Sequence, residues 1–393
     1  MNVLYLTPRN VLPLNGGAEI GSLGLIKTLK RIGFRTTLLS FYDDQPYNDD
    51  ETNELLKYVS EIKSIKFEKT SLALSFSFKY PNSIKKYTKK EMMALLNEQL
   101  KLKDYQFVVS DHLQMFEYCK TAKHIKRDIK IILNEHNVEY LIWKNYSTIC
   151  NFLIRPFVSF NAIRMKHYEA DACRKAYCSL VVSEKDKQSL LHIAPDANII
   201  SMLPPTFFEL TKFQEDFHEN HNTLLFVGNY AWYPNVYAAM DLIKEIMPRL
   251  RERLPFVKLY LVGNKPTKEM LYYSSIHDDI IVTGKVASLE QYYREADVFI
   301  NPVSEGGGIN IKTLEAIGRG IPLVSSEFGV RGIKDNNCIA VYRNYNDCVD
   351  KIIDLLRNKT KALNQAKEAR LLYDEIALPD KDLKPILLGN HDL

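Results

Sequence analysis

The segment that most constrains this chain is residues 300–318, INPVSEGGGINIKTLEAIG, where an apolar run precedes three glycines and a helical pattern. It predicts a buried strand, a turn and a helix, since glycine lets the backbone approach a ligand and adopt positive φ. The helix start offers free amides and a positive dipole end to an anion. Gly308 and Glu315 share a helix face, with Lys312 within about 60° of it. We expect a cation near phosphate and a carboxylate near a ribose; the alternative is a βαβ unit with an ordinary salt-bridging helix.

Strand and helix patterns alternate in two stretches of the chain. The first predicts strands at residues 2–7, 36–41, 107–110, 129–133 and 179–182, and helices including 18–32 and 162–176. The second predicts strands at residues 223–227, 258–262, 280–283, 298–301 and 322–325, and helices at 235–253 and 289–294. Strands that alternate with helices favour parallel, doubly wound sheets.

The chain is therefore expected to be an α/β protein with two domains. Its 393 residues are too many for one core. We place the first domain at residues 1–210, a polar linker at 211–222, the second domain at 223–355 and a helical tail at 356–393. Ligands of such sheets bind beyond the carboxyl ends of the strands, so we expect the site in a cleft between the domains.

Composition excludes several classes of protein. No apolar run reaches eighteen residues, and the N-terminus starts with a strand pattern, so we expect a cytoplasmic protein. The six cysteines lack metal-ligand spacing and are interpreted as reduced, mostly buried thiols. A net charge of +4 gives no indication of a nucleic-acid partner.

One basic segment has two interpretations. Seven lysines lie between residues 79 and 103, directly after the apolar and aromatic run 72–78. This combination is typical of peripheral contact with anionic lipid on the inner membrane surface, and equally of a strand followed by a solvated helix face.

Residues 300–318 resemble the glycine-rich signature of retaining glycosyltransferases with two Rossmann-like domains, the glycogen-synthase-like group called glycosyltransferase family four. The resemblance implies the GT-B fold, two Rossmann-like doubly wound domains facing across a cleft, with a last helix that crosses back to the first domain. It implies that Glu315 binds the ribose hydroxyls of a nucleotide-diphosphate-sugar. The turn amides, at Gly306, Gly307, Gly308 and Ile309, would hold its diphosphate and sugar.

The resemblance has a departure that bears on the donor sugar. Most members carry a second Glu where this chain has Gly307. A subgroup with a Gly-Gly-Gly turn and a helix lysine tolerates this change, which makes Lys312 the expected phosphate partner.

In the first domain, Gly16 and Gly17 open the first predicted helix. GxGxxG and GxxxxGK motifs are absent, so neither a dinucleotide fingerprint nor a P-loop is indicated. The resemblance matches these glycines to the loop that faces the transferred sugar and the donor phosphate.

Polar residues follow two predicted strands of the first domain. His112 comes directly after one strand, and the resemblance implies that it contacts the donor sugar; His112 and Lys312 are the catalytic candidates. Glu135 and His136 follow the next strand and are candidates for lining the cleft. The alternative for this segment is a helix N-cap at Asn137.

In the second domain, Gly228 allows close approach of a diphosphate. Asn229 stands where many relatives of the resembled family have an Arg, and a nearby Lys is also missing. The family reads the nucleotide base with main-chain groups near Val286. Lys285 would either help hold phosphate or lie in solvent.

Together these features predict a retaining glycosyltransferase that needs no metal and moves a sugar from a nucleotide-diphosphate-sugar to an acceptor hydroxyl, in polysaccharide or glycoconjugate synthesis. The acceptor would be a carbohydrate, a lipid-linked sugar or a protein. One alternative is a non-catalytic sugar-nucleotide-binding partner subunit, which the missing cations favour. Another is a sugar-nucleotide 2-epimerase, whose cleft carboxylates would be Glu135 and Glu305.

Overall fold

The computed structural model describes residues 1–14, 17–68, 80–203, 222–254, 256–286, 288–305, 309–333, 336–376 and 380–388. The chain divides into two units. Unit 1 comprises Met1–Pro205 and Pro379–Leu393, and unit 2 comprises Thr206–Leu378. The expected linker, residues 211–222, lies outside the described residues except for Asn222.

Unit 1 contains a seven-stranded parallel sheet. Its strands are β1 (Asn2–Thr7), β2 (Arg35–Tyr42), β3 (Glu61–Lys66), β4 (Phe107–Asp111), β5 (Lys130–Glu135), β6 (Cys178–Val181) and β7 (Ile199–Ser201). They lie in the order β3-β2-β1-β4-β5-β6-β7. Leu4 and Leu6 of β1 pack into one core, and Val3 and Tyr5 into the core on the opposite face. Both faces of the sheet are thus buried, which explains the continuous apolar runs in its central strands.

Helices cover this sheet on its two faces. Those before the second sheet are α1 (Gly17–Arg31), α2 (Asp49–Leu56), α3 (Asn82–Tyr87), α4 (Lys90–Leu102), α5 (Phe116–Ile125), α6 (Glu139–Ile149), α7 (Arg155–Lys175) and α8 (Glu184–Ile193). Ser183 caps α8 by accepting a hydrogen bond from the Asp186 N–H.

Unit 2 contains a six-stranded parallel sheet. Its strands are β8 (Thr223–Val227), β9 (Lys258–Val262), β10 (Ile280–Gly284), β11 (Val298–Asn301), β12 (Leu323–Ser326) and β13 (Ala340–Tyr342). They lie in the order β10-β9-β8-β11-β12-β13, which repeats the order of the first six strands of unit 1. This 3-2-1-4-5-6 order is the Rossmann arrangement, so the predicted fold class is confirmed.

The helices of unit 2 alternate with these strands. They are α9 (Tyr233–Asp241), α10 (Met247–Arg253), α11 (Lys268–Ile276), α12 (Glu290–Glu295), α13 (Ile311–Gly318), α14 (Tyr345–Arg357) and α15 (Lys359–Ile376). The last helix, α16 (Asp380–Leu388), belongs to unit 1, where Leu383 and Leu387 pack with Val3 and the Tyr177 hydroxyl donates to the Ile386 carbonyl.

Several elements differ from the predicted ones. Strands β3, β7 and β13 were not predicted, because β3 is half-buried and reads EIKSIK while the other two have three residues each. Helix α7 begins at Arg155, seven residues before its predicted start. The predicted helix 235–253 begins at Tyr233, and a π-helical turn at Leu242–Ile246 interrupts its α-helical hydrogen bonding.

The strand order reverses once in each sheet, between β1 and β4 in unit 1 and between β8 and β11 in unit 2. At such a switch point the connections leave in opposite directions, so the carboxyl ends of the two central strands border a crevice. Among the described residues, none of the helices has both the length and the apolar character that crossing a bilayer requires.

Candidate functional site

The switch point of unit 1 holds a buried polar cluster centred on Asp111, the last residue of β4. Asp111 Oδ1 accepts hydrogen bonds from Asn134 Nδ2 and His136 Nε2, both at 2.8 Å, and Oδ2 accepts from Ser22 Oγ at 2.6 Å. Burial opposes ionisation, but the neighbouring His136 and His112 outweigh it and hold the pKa of Asp111 well below its usual range. Asp111 is therefore a carboxylate that three donors orient.

His112 follows Asp111 in an unusual backbone conformation, with φ 71° and ψ 148°. Its N–H donates to the Asn134 carbonyl at 2.9 Å, and its ring stacks on that of His136 with centroids 4.1 Å apart. Nδ1 lies 3.6 Å from Asp111 Oδ2, beyond hydrogen-bonding distance. Burial and the adjacent His136 lower the pKa of His112. Residues other than glycine seldom adopt positive φ, and such strain concentrates at functional sites.

Asp111, His112 and His136 also have the composition of a metal site, since one ligand atom from each lies within 4.8 Å of the others. Both oxygens of Asp111, however, already accept hydrogen bonds from Ser22, Asn134 and His136. Hydrogen bonding thus accounts for the arrangement. Pairing of Asp111 with His136 was not predicted, although both follow predicted strands that neighbour each other in the sheet.

Two further carboxyl groups of unit 1, those of Glu135 on β5 and Glu169 on α7, are buried. Glu169 accepts the N–H groups of Glu139 at 2.7 Å and Tyr140 at 2.9 Å, and so caps α6. The N-cap position belongs to Val138, so the alternative in which Asn137 caps the helix is wrong. Glu135 is only 2% exposed, and burial together with Glu169 raises its pKa well above the usual range. Glu135 is a covered carboxyl group rather than one that lines a surface.

The switch point of unit 2 holds Lys312, on the first turn of α13. Its Nζ donates to Asn235 Oδ1 at 2.5 Å and lies 4.6 Å from the centroid of the Phe226 ring. Burial lowers the pKa of Lys312 to about 7, although Glu315 opposes this shift. Asn235, which the sequence did not single out, is oriented by donating to the Asn229 carbonyl at 2.9 Å.

Gly228 at the end of β8 makes room for this asparagine. A Cβ at Gly228 would lie 3.1 Å from Asn235 Cγ, closer than side chains ordinarily pack. Glycine at this position therefore leaves space for Asn235, whose Oδ1 accepts the hydrogen bond of the Lys312 ammonium.

Helix α13 is fixed to the end of β11 by Thr313. Thr313 Oγ1 donates to the Gly329 carbonyl at 2.7 Å and accepts from Asn301 Nδ2 at 2.9 Å. These buried bonds determine which way the α13 side chains face. The turn before α13, including Gly306, Gly307 and Gly308, lies outside the described residues, as does Gly16.

Glu315 lies one turn after Lys312 and is 8% exposed. Its Oε1 is 3.6 Å from Arg319 Nη2, whereas Arg319 Nη1 is 2.7 Å from each oxygen of Glu290. Arg319 therefore donates its short hydrogen bonds to Glu290 and not to Glu315. Burial raises the pKa of Glu315, and the Arg319 charge opposes this shift.

The other predicted site residues occupy less enclosed positions. Gly17, the first residue of α1, is exposed, and so is Asn229; Val286 and Ile309 are half-buried. Lys285 is exposed, as expected for a lysine in solvent. Two aromatic residues that follow Asn229, Trp232 and Tyr233, are also exposed, with ring centroids 5.1 Å apart.

The segment that carries Lys312 and Glu315 has known relatives. Residues 221–358 match the family model of glycosyl transferases group 1. This match covers most of unit 2 and agrees with the predicted resemblance. A protein from Klebsiella pneumoniae named "Uncharacterized 44.6 kDa protein in cps region" is 21% identical over 335 residues, which are 83% of this chain and 82% of that protein.

Solved structures share the fold over the whole chain. HepE from Anabaena in complex with UDP-glucose has a TM-score of 0.63 at 14% identity and covers 99% of both chains. A TarM variant from S. aureus, in complex with fondaparinux, alpha-GlcNAc-glycerol and UDP, has a TM-score of 0.69 at 13% identity and covers 99% of this chain and 100% of its own. These likenesses establish the GT-B fold.

Proposed function

We propose that this chain is a glycosyltransferase that moves a sugar from a nucleotide-diphosphate-sugar to an acceptor hydroxyl with retention of anomeric configuration. The observation that carries the proposal is the pair Lys312 and Glu315 on α13, at the switch point of the unit that matches group 1. A lysine and a carboxylate one turn apart suit the phosphate and the ribose of one ligand.

Catalysis in this proposal is electrostatic. When the bond between the sugar and the diphosphate breaks, negative charge develops on the leaving phosphate, and a protonated Lys312 stabilises it. Asn235 holds the ammonium in place before the donor binds. Glu315 accepts hydrogen bonds from the ribose hydroxyls. The departing phosphate takes the proton of the acceptor hydroxyl, so no protein base is required.

His112 is assigned to the transferred sugar. Its strained backbone and its contact with His136 fix the ring, and its lowered pKa keeps it neutral near pH 7, able to hydrogen-bond a sugar hydroxyl. Asp111 orients His136, which supports the His112 ring from one side.

A uridine nucleotide is the proposed donor base, because the structures of HepE and TarM contain UDP-glucose and UDP. The name of the Klebsiella relative refers to a cps region, which supports a role in polysaccharide or glycoconjugate synthesis. We place the reaction in the cytoplasm, where nucleotide-sugars are made, and assign it no metal.

A binding-only partner subunit is the second candidate. Asn229 provides no cation at the end of β8, where the resembled family has an Arg, and this favours weak turnover. The epimerase alternative has less support, because Glu135 is covered.

A donor screen tests the proposal. Thermal shift and nucleotide release would be measured with UDP-, GDP-, ADP- and TDP-sugars in the presence of a chelator. We expect stabilisation and slow release with one UDP-sugar; stabilisation without release, also when acceptors are added, would favour the binding subunit. No response to any donor would refute both. NMR of the product would show whether the anomeric configuration is retained.

Glu315→Ala is the matched test of the site. Removing a carboxylate that accepts two ribose hydrogen bonds should raise the Kd for UDP about 10- to 100-fold in calorimetric titration. Glu327→Ala, which removes an exposed carboxylate next to β12, should leave this Kd unchanged. An unaltered Kd in Glu315→Ala would remove its assigned role.

A further inference from the structure

The exposed apolar surface of unit 1 is concentrated on one helical hairpin. Helices α6 and α7 pack against each other and are joined by residues 150–154. Within residues 142–163, the exposed large hydrophobic side chains are Ile142, Tyr146, Phe152, Leu153, Ile154, Phe157, Phe160 and Ile163. Phe152, Leu153 and Phe157 are 73%, 67% and 70% exposed. Contiguous apolar patches of this kind mark interaction sites.

The spacing places these side chains on continuous faces. Ile142 and Tyr146 lie at i and i+4 of α6, and Phe157 and Phe160 at i and i+3 of α7, so each pair shares a helix face. Phe152 and Leu153 lie in the connection between the two helices. The inward side of α7 is packed into the unit 1 core through Met165 and Tyr168. The hairpin is thus anchored on one side and presents aromatic and aliphatic groups on the other.

The charged residues of this hairpin favour an anionic binding partner. Residues 140–168 contain Lys144, Arg155, Arg164 and Lys166 and no Asp or Glu, in a chain where 48 of 393 residues are acidic. Lys144, Arg155 and Lys166 are exposed. Exposed aromatic and aliphatic side chains in a segment whose charges are all basic are typical of segments that lie in the interface of an anionic bilayer.

The basic segment 79–103, considered from the sequence, fits this role less well. Lys89 donates to the Glu68 carbonyl, Lys86 lies over the Phe67 ring, and Lys103 pairs with Glu61. Within its described part, Leu102 is the exposed large hydrophobic residue. The apolar run 72–78 lies outside the described residues.

We infer that the hairpin formed by α6, residues 150–154 and α7 docks unit 1 on an anionic phospholipid surface, with Phe152, Leu153 and Phe157 inserted between headgroups and Lys144, Arg155 and Lys166 facing lipid phosphates. The inference does not depend on the proposed function, because it concerns binding to lipid and not transfer. It would place the chain at a surface where a lipid-linked acceptor is available.

Co-sedimentation with vesicles tests this surface. The full chain is mixed with vesicles of phosphatidylcholine, or of phosphatidylcholine and phosphatidylglycerol in equal parts. We expect wild type to sediment with the anionic vesicles only. The variant Phe152→Ser/Leu153→Ser/Phe157→Ser should bind them about tenfold or more weakly, because three large apolar side chains no longer leave water.

Two further variants separate the contributions. Lys144→Gln/Arg155→Gln/Lys166→Gln should lose up to about fivefold in affinity per residue at low salt. The matched control Leu271→Ser/Tyr272→Ser/Leu371→Ser alters three exposed large hydrophobic side chains of unit 2 and should sediment like wild type. Unchanged melting temperatures would show that each variant is folded.

Three results would overturn the inference. Wild type could fail to sediment with anionic vesicles, or the hairpin variant could bind as well as the unit 2 control. Alternatively, sedimentation velocity without lipid could show a wild-type dimer that the hairpin variant dissociates, which would assign the surface to a second copy of the chain.

Discussion

The two switch points share a topology but have opposite electrostatic character. In unit 1, the buried carboxylate of Asp111 accepts hydrogen bonds from Ser22, Asn134 and His136. In unit 2, the partly buried Lys312 has one amide oxygen and the face of a Phe ring beside its ammonium, and burial brings its pKa down to about 7. The first charge is fully solvated by protein groups, whereas the second is destabilised.

The difference shows how one fold can separate two tasks. A buried charge that is fully hydrogen-bonded holds its surroundings rigid, as Asp111 does for the histidines. A cation that burial destabilises more than its neighbouring carboxylate stabilises it, as with Lys312 and Glu315, gains most when an anionic ligand arrives. The Asp111 carboxylate is therefore satisfied without a ligand, while the Lys312 ammonium is prepared for an anionic one.

The largest effect is expected at Lys312. Lys312→Ala removes the cation that we propose stabilises the leaving diphosphate, and it should lower kcat/KM for the donor about a thousandfold. Lys312→Arg keeps the charge and should recover part of this loss. Lys285→Ala removes an exposed lysine of the same unit and should change kcat/KM less than about twofold. A loss below about tenfold in Lys312→Ala would contradict the proposed role.

The unit 1 cluster is tested by Asp111→Asn. The amide of the new asparagine has an N–H₂ group in place of one carboxylate oxygen, and this group cannot accept a hydrogen bond from a neighbouring donor. The buried hydrogen bonds from Ser22, Asn134 and His136 therefore cannot all form. We expect the calorimetric melting temperature of unit 1 to fall by about 5–10 °C. Because UDP binding is assigned to unit 2, the Kd for UDP should not change.

Asp43→Asn is the control for this change, since Asp43 is exposed, and its melting temperature should be close to that of wild type. If Asp111→Asn melted like the control, the cluster would not contribute to the stability of unit 1. If it weakened UDP binding, the division of tasks between the units would be wrong.

The fold could be predicted because buried parallel strands leave a strong local signal. Residues 3–6 of β1 and 224–226 of β8 are fully apolar, and the glycines after them mark the turns into helices. Strand β3 lies at a sheet edge and has only two apolar residues in EIKSIK, and β13 has three residues, so neither carries such a signal. The π-helical turn at Leu242–Ile246 has no simple pattern.

The candidate site likewise has features that the sequence predicts locally and contacts that it does not. Lys312 and Glu315 were predicted because their spacing within one helix is a local property. The contact of Lys312 with Asn235 joins residues 77 positions apart, and that of Asp111 with His136 joins two strands. Such contacts depend on strand order, which periodicity does not reveal. Once β4 and β5 are known to be neighbours, the residues that follow them are expected to meet.

The smallest effect, and the one that best separates the two charged groups of α13, is the pH dependence of donor binding. With the pKa of Lys312 at about 7, the lysine is mostly protonated below that pH and mostly neutral above it. A diphosphate favours the protonated form, so binding above pH 7 takes up a proton. The affinity for UDP-glucose should then fall by up to about tenfold per pH unit between about pH 7 and pH 9.

Glu315 would give the opposite slope. Its pKa is raised, and the ionised form, which we propose accepts hydrogen bonds from the ribose hydroxyls, becomes more abundant as pH rises, so affinity should then increase with pH. Titration calorimetry in two buffers of different ionisation enthalpy measures the proton uptake directly. Lys312→Arg, which stays protonated throughout, should abolish the uptake above pH 7. The same uptake in that variant would assign it to another group and would leave the lowered pKa of Lys312 without a part in donor binding.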